Sequence, residues 1–140
     1  MPSFKKLSIN NLRNITSQSI SPGRGINLIY GDNGSGKTSI LEAIHLLGLA
    51  RSFRSAQLKP IVQAGAEECA VFAELDNRLT LGVSKGIRGG GQIHIAGKKA
   101  DNTAQLAHSL PIQLINSDTF KILEGSPRVR RKYMDWGVFH

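Results

Sequence analysis

The segment Gly31–Thr38, with the sequence GDNGSGKT, constrains this chain more than any other. It matches G-x-x-x-x-G-K-[ST], the phosphate-binding P-loop, and it lies between a short apolar run and a helical pattern, as the motif requires. Its glycines allow backbone conformations with positive φ, so successive N–H groups can point at one anion beside a helix N-terminus. A glycine-rich turn that matches by chance is the alternative interpretation. The motif and its flanks together predict nucleotide binding.

The P-loop motif gives its residues specific roles. Lys37 would contact the β- and γ-phosphates, and the hydroxyl of Thr38 would bind Mg²⁺. The predicted cofactors are therefore ATP and Mg²⁺, with Thr38 as the predicted metal ligand. The predicted nucleotide-binding residues are Gly31, Asp32, Asn33, Gly34, Ser35, Gly36, Lys37 and Thr38.

The chain is basic, with a formal net charge of +8 over 140 residues. Residues 1–59 carry eight basic and two acidic side chains, residues 60–110 carry five of each, and residues 111–140 carry five and three. A bound triphosphate would neutralise part of this positive charge. The remainder suggests a polyanionic partner such as nucleic acid, although a generally basic protein would have the same composition.

The sequence also predicts a cytoplasmic protein that does not enter a membrane, because it has one cysteine, no signal peptide and no long apolar run.

Short apolar runs before the P-loop predict three strands. Phe4–Ile9 and Ile15–Ile20 are expected as two edge strands joined by a turn at Asn10–Asn14. Gly25–Tyr30 is expected as a buried strand that leads into the P-loop. The strand, the P-loop and the helix after it predict an α/β fold with a P-loop core.

A helix is expected over residues 38–50, immediately after the P-loop. Its apolar face would pack on the sheet and consists of Ile40, Ile44 and Leu47, with Leu41 and Gly48 beside them. Glu42 and His45 would face solvent or a second element, and His45 is interpreted as a surface residue.

Residues 68–97 predict an antiparallel β-meander. Alternating apolar residues mark strands at Cys69–Leu75, Leu79–Ser84 and Gln92–Ile95, with glycine-rich or polar turns between them. This pattern differs from a βαβ unit. It divides the chain into residues 1–58 with the P-loop and first helix, residues 68–97 with the meander, and a helical part over residues 102–140.

The helical part begins with a helix at Asn102–Leu110, which Pro111 ends. Ile112–Ile115 is expected as a short buried strand, and Asn116–Asp118 as the cap of a helix over Thr119–Leu123. The last helix would begin with Ser126 as its N-cap and Pro127 at its first position.

Two groups of basic residues could contact phosphate. Arg51 suits the C-terminus of the P-loop helix, whereas Arg54 lies beyond that helix, where a phosphate of ATP or DNA is an equally good explanation. Phe53 would anchor this loop. The second group crowds the first turns of the last helix, an unfavourable place for cations, and either an anionic partner or pairing with Glu124, Asp135 or other carboxylates would explain it. The possible DNA or phosphate contacts are Arg54, Arg128, Arg130, Arg131 and Lys132.

Four segments together resemble the N-terminal part of the RecF family of bacterial DNA recombination and repair ATPases: FKKLSINNLRNI, INLIYGDNGSGKTSILEAIHLLG, RSFRS and GSPRVRRKYMDWGVFH. The resemblance implies a P-loop NTPase core of ABC/SMC type, an α/β head with an antiparallel β-meander subdomain. It also implies an ATP-dependent homodimer that binds single-stranded or gapped duplex DNA. Action with RecO and RecR in recombinase loading, and roles in DNA replication, repair and the SOS response, are implied in the same way.

One departure from the family pattern concerns catalysis. The resemblance requires a signature motif and an acidic Walker B strand, and neither occurs here. The nearest apolar run, Ile112–Ile115, is followed by Asn116, with Asp118 two residues later; the resemblance implies a Q-loop that senses the γ-phosphate at these positions. The chain is therefore interpreted as an incomplete head that does not hydrolyse ATP alone.

Two other classes of protein remain as alternatives: a different P-loop enzyme, such as a small-molecule kinase or a GTPase, and a DNA-binding module without ATP use. A small-molecule kinase would use Asp118 as its acid, but kinases continue with βαβ units and not with a meander. A GTPase would carry D-x-x-G and N-K-x-D, and neither occurs. A DNA-binding module without ATP use would not need the intact Lys37–Thr38 pair.

Overall fold

A computed structural model describes residues 2–55, 57, 61–117, 126–128, 130–131 and 134–135. Its elements are β1 (Phe4–Leu12), β2 (Ile15–Ile20), α1 (Lys37–Leu49), β3 (Glu68–Leu75), β4 (Thr80–Gly86), β5 (Gly91–Ile95), β6 (Lys98–Lys99) and α2 (Thr103–Ser109). All six strands form one sheet in the order β2-β1-β3-β4-β5-β6, and every neighbouring pair is antiparallel. The meander thus continues the sheet that β1 and β2 begin.

The core lies between one face of this sheet and helix α1. Buried side chains on this face alternate with more accessible ones along β3 and the first half of β4, as period-two patterning requires. In register across β1, β3 and β4 lie Leu7, Ala73 and Leu81, each at most 1% exposed. From α1, the apolar residues buried against this face are Ala43, Leu46 and Leu47.

The structure confirms the three meander strands, the strand Ile15–Ile20 and both predicted helices of the described region. Asn102 caps α2, because its side chain accepts a hydrogen bond of 2.8 Å from the N–H of Ala104. Within the described residues, no helix is long and apolar enough to cross a membrane.

Strand β1 differs from its prediction in length and place. It continues through Leu12, and Asn10 still pairs with Ser17 of β2, so the predicted turn at Asn10–Asn14 shrinks to Arg13 and Asn14. β1 also lies inside the sheet, between β2 and β3, and the prediction that it is an edge strand is wrong. β1 pairs along one side with β2 and along the other with β3, so its backbone N–H and C=O groups have partners on both sides, while Leu7, Ile9 and Leu12 face the core.

The predicted buried strand at Gly25–Tyr30 is wrong for this structure. The segment has no strand assignment and pairs with none of the six strands. Its side chains are exposed, at 101% for Ile26, 82% for Leu28 and 85% for Tyr30. Apolar composition predicted burial, but a strand also needs hydrogen-bonded neighbours, and the sheet of the described residues offers it none.

The predicted strand at Ile112–Ile115 is also wrong, because these residues have no strand assignment and lie outside the sheet, with Ile115 76% exposed. The side chain of Ile112 covers Gly48 of α1 instead of joining a strand ladder. Asp118 and the predicted helix Thr119–Leu123 lie outside the described residues. Pro127 and Arg128 are helical and follow Ser126, as predicted.

The buried face of α1 is rotated from the predicted one. Ile40 and Ile44 are only partly buried and Leu41 is 46% exposed, whereas Glu42 and His45 are 0% and 7% exposed. The interpretation of His45 as a surface residue is wrong. Both polar side chains have partners outside the helix, which apolar periodicity cannot reveal.

Candidate nucleotide site

The P-loop forms a tight turn directly before α1. Gly31, Gly34 and Gly36 have φ of 147°, 85° and 95°, conformations that other residues rarely adopt. The N–H of Ser35 donates to the carbonyl of Asp32 at 3.2 Å, and Gly36 is the N-cap residue of α1. The three glycines are therefore needed for this backbone, which supports the P-loop interpretation over a chance match.

Lys37 lies at the start of α1 and reaches back over the loop. Its Nζ donates to the carbonyls of Gly31 and Asp32, both at 2.6 Å. The ammonium is thus held at the loop by backbone oxygens, within the segment that the motif assigns to phosphate.

The side chain of Asn14 joins the β1–β2 turn to the P-loop. Its Nδ2 donates to the carbonyl of Gly34 at 2.7 Å, and its Oδ1 accepts from the hydroxyl of Ser39 at 2.8 Å. This amide therefore fixes one P-loop peptide relative to the first turn of α1. In the sequence Asn14 is an ordinary turn residue, and no local pattern indicates these two hydrogen bonds.

Arg13, the neighbouring turn residue, binds Glu42 of α1. Its Nε and Nη2 donate to Oε2 and Oε1 at 2.9 and 2.8 Å. Burial opposes the charge of Glu42, but the hydrogen bonds from Arg13 and Ser52 and the nearby charges of Arg13 and Arg54 lower its pKa overall. The hydrogen bond to Glu42 likewise raises the pKa of Arg13. Both groups are therefore ionised at neutral pH.

The segment Arg51–Ser55 is held against α1 by Glu42 and His45. The hydroxyl of Ser52 donates to Glu42 and accepts from the N–H of Arg54 at 2.9 Å. His45 Nδ1 lies 2.7 Å from the carbonyl of Arg51, and the rings of His45 and Phe53 meet edge to face at 5.4 Å. Burial lowers the pKa of His45, although the Arg51 carbonyl opposes this shift, so the neutral ring donates from Nδ1.

Arg54 lies at a cavity of about 420 Å³ beside the P-loop. Its Nη1 is 3.7 Å from Glu42 Oε2, beyond hydrogen-bond length, and its side chain is 44% exposed. The described residues that line this cavity are Arg13, Asn14, Asn33, Gly34, Gly36, Lys37, Thr38, Ser39 and Arg54. Three of them are cations and none is acidic, so the cavity suits a triphosphate.

Thr38 is exposed at this cavity, so its hydroxyl is accessible to a cation beside the phosphates. Among the described residues, no group of three or more His, Cys, Asp or Glu side chains could hold a metal ion. Thr38 and the oxygens of a bound nucleotide are groups that could hold Mg²⁺ at this cavity.

A second cavity, of about 510 Å³, shares Arg13 and Asn14 with the first. Its other lining residues are Val62, Gln63, Ala64, Gly65, Ala66 and Ile87. Apolar walls next to a cationic cavity give room for a nucleoside beside its phosphates. No motif in the sequence of residues 62–66 indicates this cavity.

The predicted phosphate contacts separate into two groups. Arg54 lies at the P-loop cavity, and its contact with a phosphate of ATP or DNA stays a prediction. Arg128, Arg130 and Arg131 are exposed on helical residues after Ser126, and Lys132 lies outside the described residues.

Residues 3–120 match the family described as RecF/RecN/SMC N terminal domain. The chain belongs to this family. This match and the similar proteins described below confirm two predictions made from the sequence. They are the fold, an incomplete head of ABC/SMC type, and the resemblance to RecF.

Proteins named DNA replication and repair protein RecF are similar over almost the whole chain. The chain is 52% identical to the RecF of Pseudomonas aeruginosa, with 99% of this chain and 38% of that protein aligned. It is 51% identical to the RecF of Pseudomonas syringae pv. syringae, with 39% of that protein aligned. This RecF/RecN/SMC family member therefore spans less than two-fifths of the length of these relatives.

Solved structures show the same fold. The recombination mediator protein RecF of the RecFOR pathway, solved as RecF-ATPrS, superposes with a TM-score of 0.86 at 27% identity, over 99% of this chain and 38% of that one. The Smc head domain of Pyrococcus furiosus superposes with a TM-score of 0.80 at 21% identity, over 96% of this chain and 41% of that one. At that identity the Smc likeness shows the fold alone.

Proposed function

We propose that this chain is the ATP-binding N-terminal part of a RecF-type DNA recombination and repair ATPase. One observation carries the proposal: Lys37, Arg13 and Arg54 converge on a cavity beside a P-loop whose glycines have positive φ, and no described acidic residue lines it. Such a cavity favours a highly charged anion over a neutral ligand. The RecF structure solved as RecF-ATPrS supports ATP as that anion.

In this proposal the triphosphate lies along Gly31–Thr38, where backbone N–H groups and the α1 N-terminus face it. Lys37 binds the β- and γ-phosphates, and Thr38 binds Mg²⁺ together with phosphate oxygens. The nucleoside occupies the second cavity, between the Arg13–Asn14 turn and residues 62–66. ATP supplies the phosphoanhydride for hydrolysis in the complete protein.

The direct test is ATP binding by the 140-residue chain, with and without Mg²⁺. Lys37→Ala should weaken binding by about 2–3 kcal/mol, the scale of a charge-assisted contact. Lys98→Ala, which removes an exposed cation of β6, is the matched control and should bind like the parent. Thr38→Ala should weaken mainly the Mg²⁺-dependent part. Equal ATP binding by Lys37→Ala and the parent would show that the loop assignment is wrong.

For the whole protein we propose an ATP-dependent homodimer that binds single-stranded or gapped duplex DNA and acts with RecO and RecR in recombinase loading and the SOS response. The identity with RecF proteins over 99% of the chain supports this proposal. The basic excess of residues 1–59 agrees with a nucleic acid partner.

Salt dependence tests the DNA contacts in the full-length dimer. If Arg54 and the basic cluster Arg128, Arg130, Arg131 and Lys132 contact phosphates, neutralising one of them should reduce the slope of log K against log salt by about one unit, with little change in sequence preference. Charge reversal of the whole cluster with an unchanged slope would assign these residues to ordinary surface pairing.

A further inference from the structure

We propose that Glu42 and Ser52 are positioning residues that set Arg54 at the phosphate cavity, an inference that rests on the proposed ATP function. Arg54 lies beyond the end of α1, on a segment without regular structure. A cation on such a segment reaches a phosphate productively only if its backbone is held in place. Glu42 and Ser52 supply that support.

Burial and hydrogen bonds hold Glu42 in place. Its side chain is fully buried on α1, and both carboxylate oxygens accept from Arg13. Arg13 is itself fixed, because its N–H donates to the carbonyl of Ile61 at 2.9 Å and its φ is 54°. Glu42 therefore presents its oxygens from a rigid place in the fold.

The hydroxyl of Ser52 links Glu42 to the backbone of Arg54. Its proton goes to Glu42 Oε1, which orients its lone pairs toward the loop that follows. Those lone pairs accept from the N–H groups of Arg54 and Ser55, at 2.9 and 3.2 Å. The backbone at Arg54 is thus tied through one hydroxyl to a buried carboxylate.

The two arginines near Glu42 differ in how they contact it. Arg13 donates from Nε and Nη2 to Glu42 and is 18% exposed, so it holds the carboxylate in place. Arg54 approaches Glu42 only to 3.7 Å and is 44% exposed at the cavity. Its guanidinium, which carries five N–H donors, therefore keeps donors for an anion in the cavity while Glu42 attracts it to the cavity edge.

A double-mutant cycle on ATP affinity of the 140-residue chain tests this inference. Arg54→Ala should raise the Kd for ATP about tenfold, the loss of one charge-assisted contact, and Ser52→Ala should raise it by a similar factor. In the Arg54→Ala background, Ser52→Ala should change the Kd by less than about twofold, because its effect passes through Arg54. Ser52→Thr keeps the hydroxyl and should bind like the parent. Ser55→Ala is the matched control, since that hydroxyl bonds Gln57 and not Glu42.

Thermal unfolding of every variant shows whether it folds. A loss of ATP affinity that comes from general destabilisation by Ser52→Ala would be the same with and without Arg54→Ala, so comparing the two backgrounds removes it. An equal effect of Ser52→Ala in both backgrounds would overturn the inference, as would normal ATP binding by Ser52→Ala or by Arg54→Ala. If Lys37→Ala weakens binding in the same series, the proposed ATP site survives that result. If Lys37→Ala binds like the parent, the proposed function fails and this inference fails with it.

Discussion

Arg13 and Glu42, 29 residues apart, form a two-bond ion pair that joins the β1–β2 turn to the P-loop helix, with N–O distances of 2.9 and 2.8 Å. The carboxylate is fully buried and the guanidinium is 18% exposed. Parallel bonds of this kind fix direction as well as distance. The pair therefore sets how the sheet and α1 meet at the phosphate cavity.

Removing the charge of Glu42 should destabilise the fold. Glu42→Gln leaves the Arg13 guanidinium without its counterion, and we expect the free energy of unfolding to fall by about 2–3 kcal/mol, the scale of a hydrogen bond to a charged group. Urea unfolding followed by circular dichroism measures it. Glu74→Gln is the matched control, because the Lys5–Glu74 pair is 66% and 32% exposed and should contribute less than about 1 kcal/mol. Similar losses from both variants would contradict the assigned role of Glu42.

Stability should also fall in acid through Glu42. Its folded pKa is lowered from the ordinary 4.5, so its contribution is complete above about pH 4.5 and is lost as the pH drops through the folded value. The lowered pKa values of His45 and Asp76 act in the same direction, from about pH 6.5 and 3.8 downward. The difference between the parent and Glu42→Gln therefore isolates Glu42, and it should shrink below pH 4.5. A difference that stays constant down to pH 2 would be incompatible with this linkage.

Asn14 should control the shape of the P-loop. Asn14→Asp has no N–H to give the carbonyl of Gly34 and places a negative charge at the phosphate cavity, so ATP binding should weaken by about 2 kcal/mol. Isothermal titration measures it. Asn10→Asp adds the same charge at an exposed position of β1 and should bind ATP nearly as the parent does. Parity between the two variants would refute a role for the amide.

Gly48 should be intolerant of a side chain. A Cβ there would lie 2.4 Å from Ile112 Cδ1 and 3.1 Å from the carbonyl of Leu110. Alanine favours helices by up to about 1 kcal/mol over glycine, but we expect overpacking to outweigh this and to destabilise the fold by about 1–2 kcal/mol. Adding Ile112→Val removes the nearest atom and should restore part of the loss. A more stable Gly48→Ala chain would show that Ile112 moves aside freely.

The 140-residue chain should not hydrolyse ATP at a useful rate. It offers a phosphate cradle, Lys37 and Thr38, but its sequence contains no Walker B acid or signature motif, and ground-state binding alone does not raise turnover. Phosphate release should be compared with that of a chain extended to the length of its RecF relatives, with and without DNA. Turnover by the short chain that disappears in Lys37→Ala would mean that it carries its own catalytic acid, with Asp118 the first residue to test.

Sequence patterns predicted the parts of the fold that are determined by residues within one short segment. The meander strands alternate because one face of the sheet is buried, so β3 shows Val71, Ala73 and Leu75 on the core side. The P-loop was predicted equally well, since its glycines lie at fixed spacing where the backbone needs a positive φ. Neither prediction needed knowledge of distant residues.

The misses depend on distant partners. Glu42 is polar at a buried position because Arg13 lies against it, and Asn14 bonds Gly34 only after the hairpin meets the P-loop. Gly25–Tyr30 is the opposite case, an apolar segment that is exposed. Its composition predicted a buried strand, but it pairs with none of the six strands. Periodicity describes one element at a time, and these features exist only between elements.

The position of β1 between β2 and β3 has a kinetic consequence. The β1–β2 hairpin involves near neighbours, but β1 meets β3 across a long separation, as the pair Lys5–Glu74 shows at 69 residues. That pairing closes a loop containing the P-loop, α1 and the Arg54 segment, and loop closure of this length is entropically costly and slow. We therefore expect the phosphate cavity to be assembled late, so that during refolding the capacity to bind ATP appears with the slowest phase and not with the first helical signal.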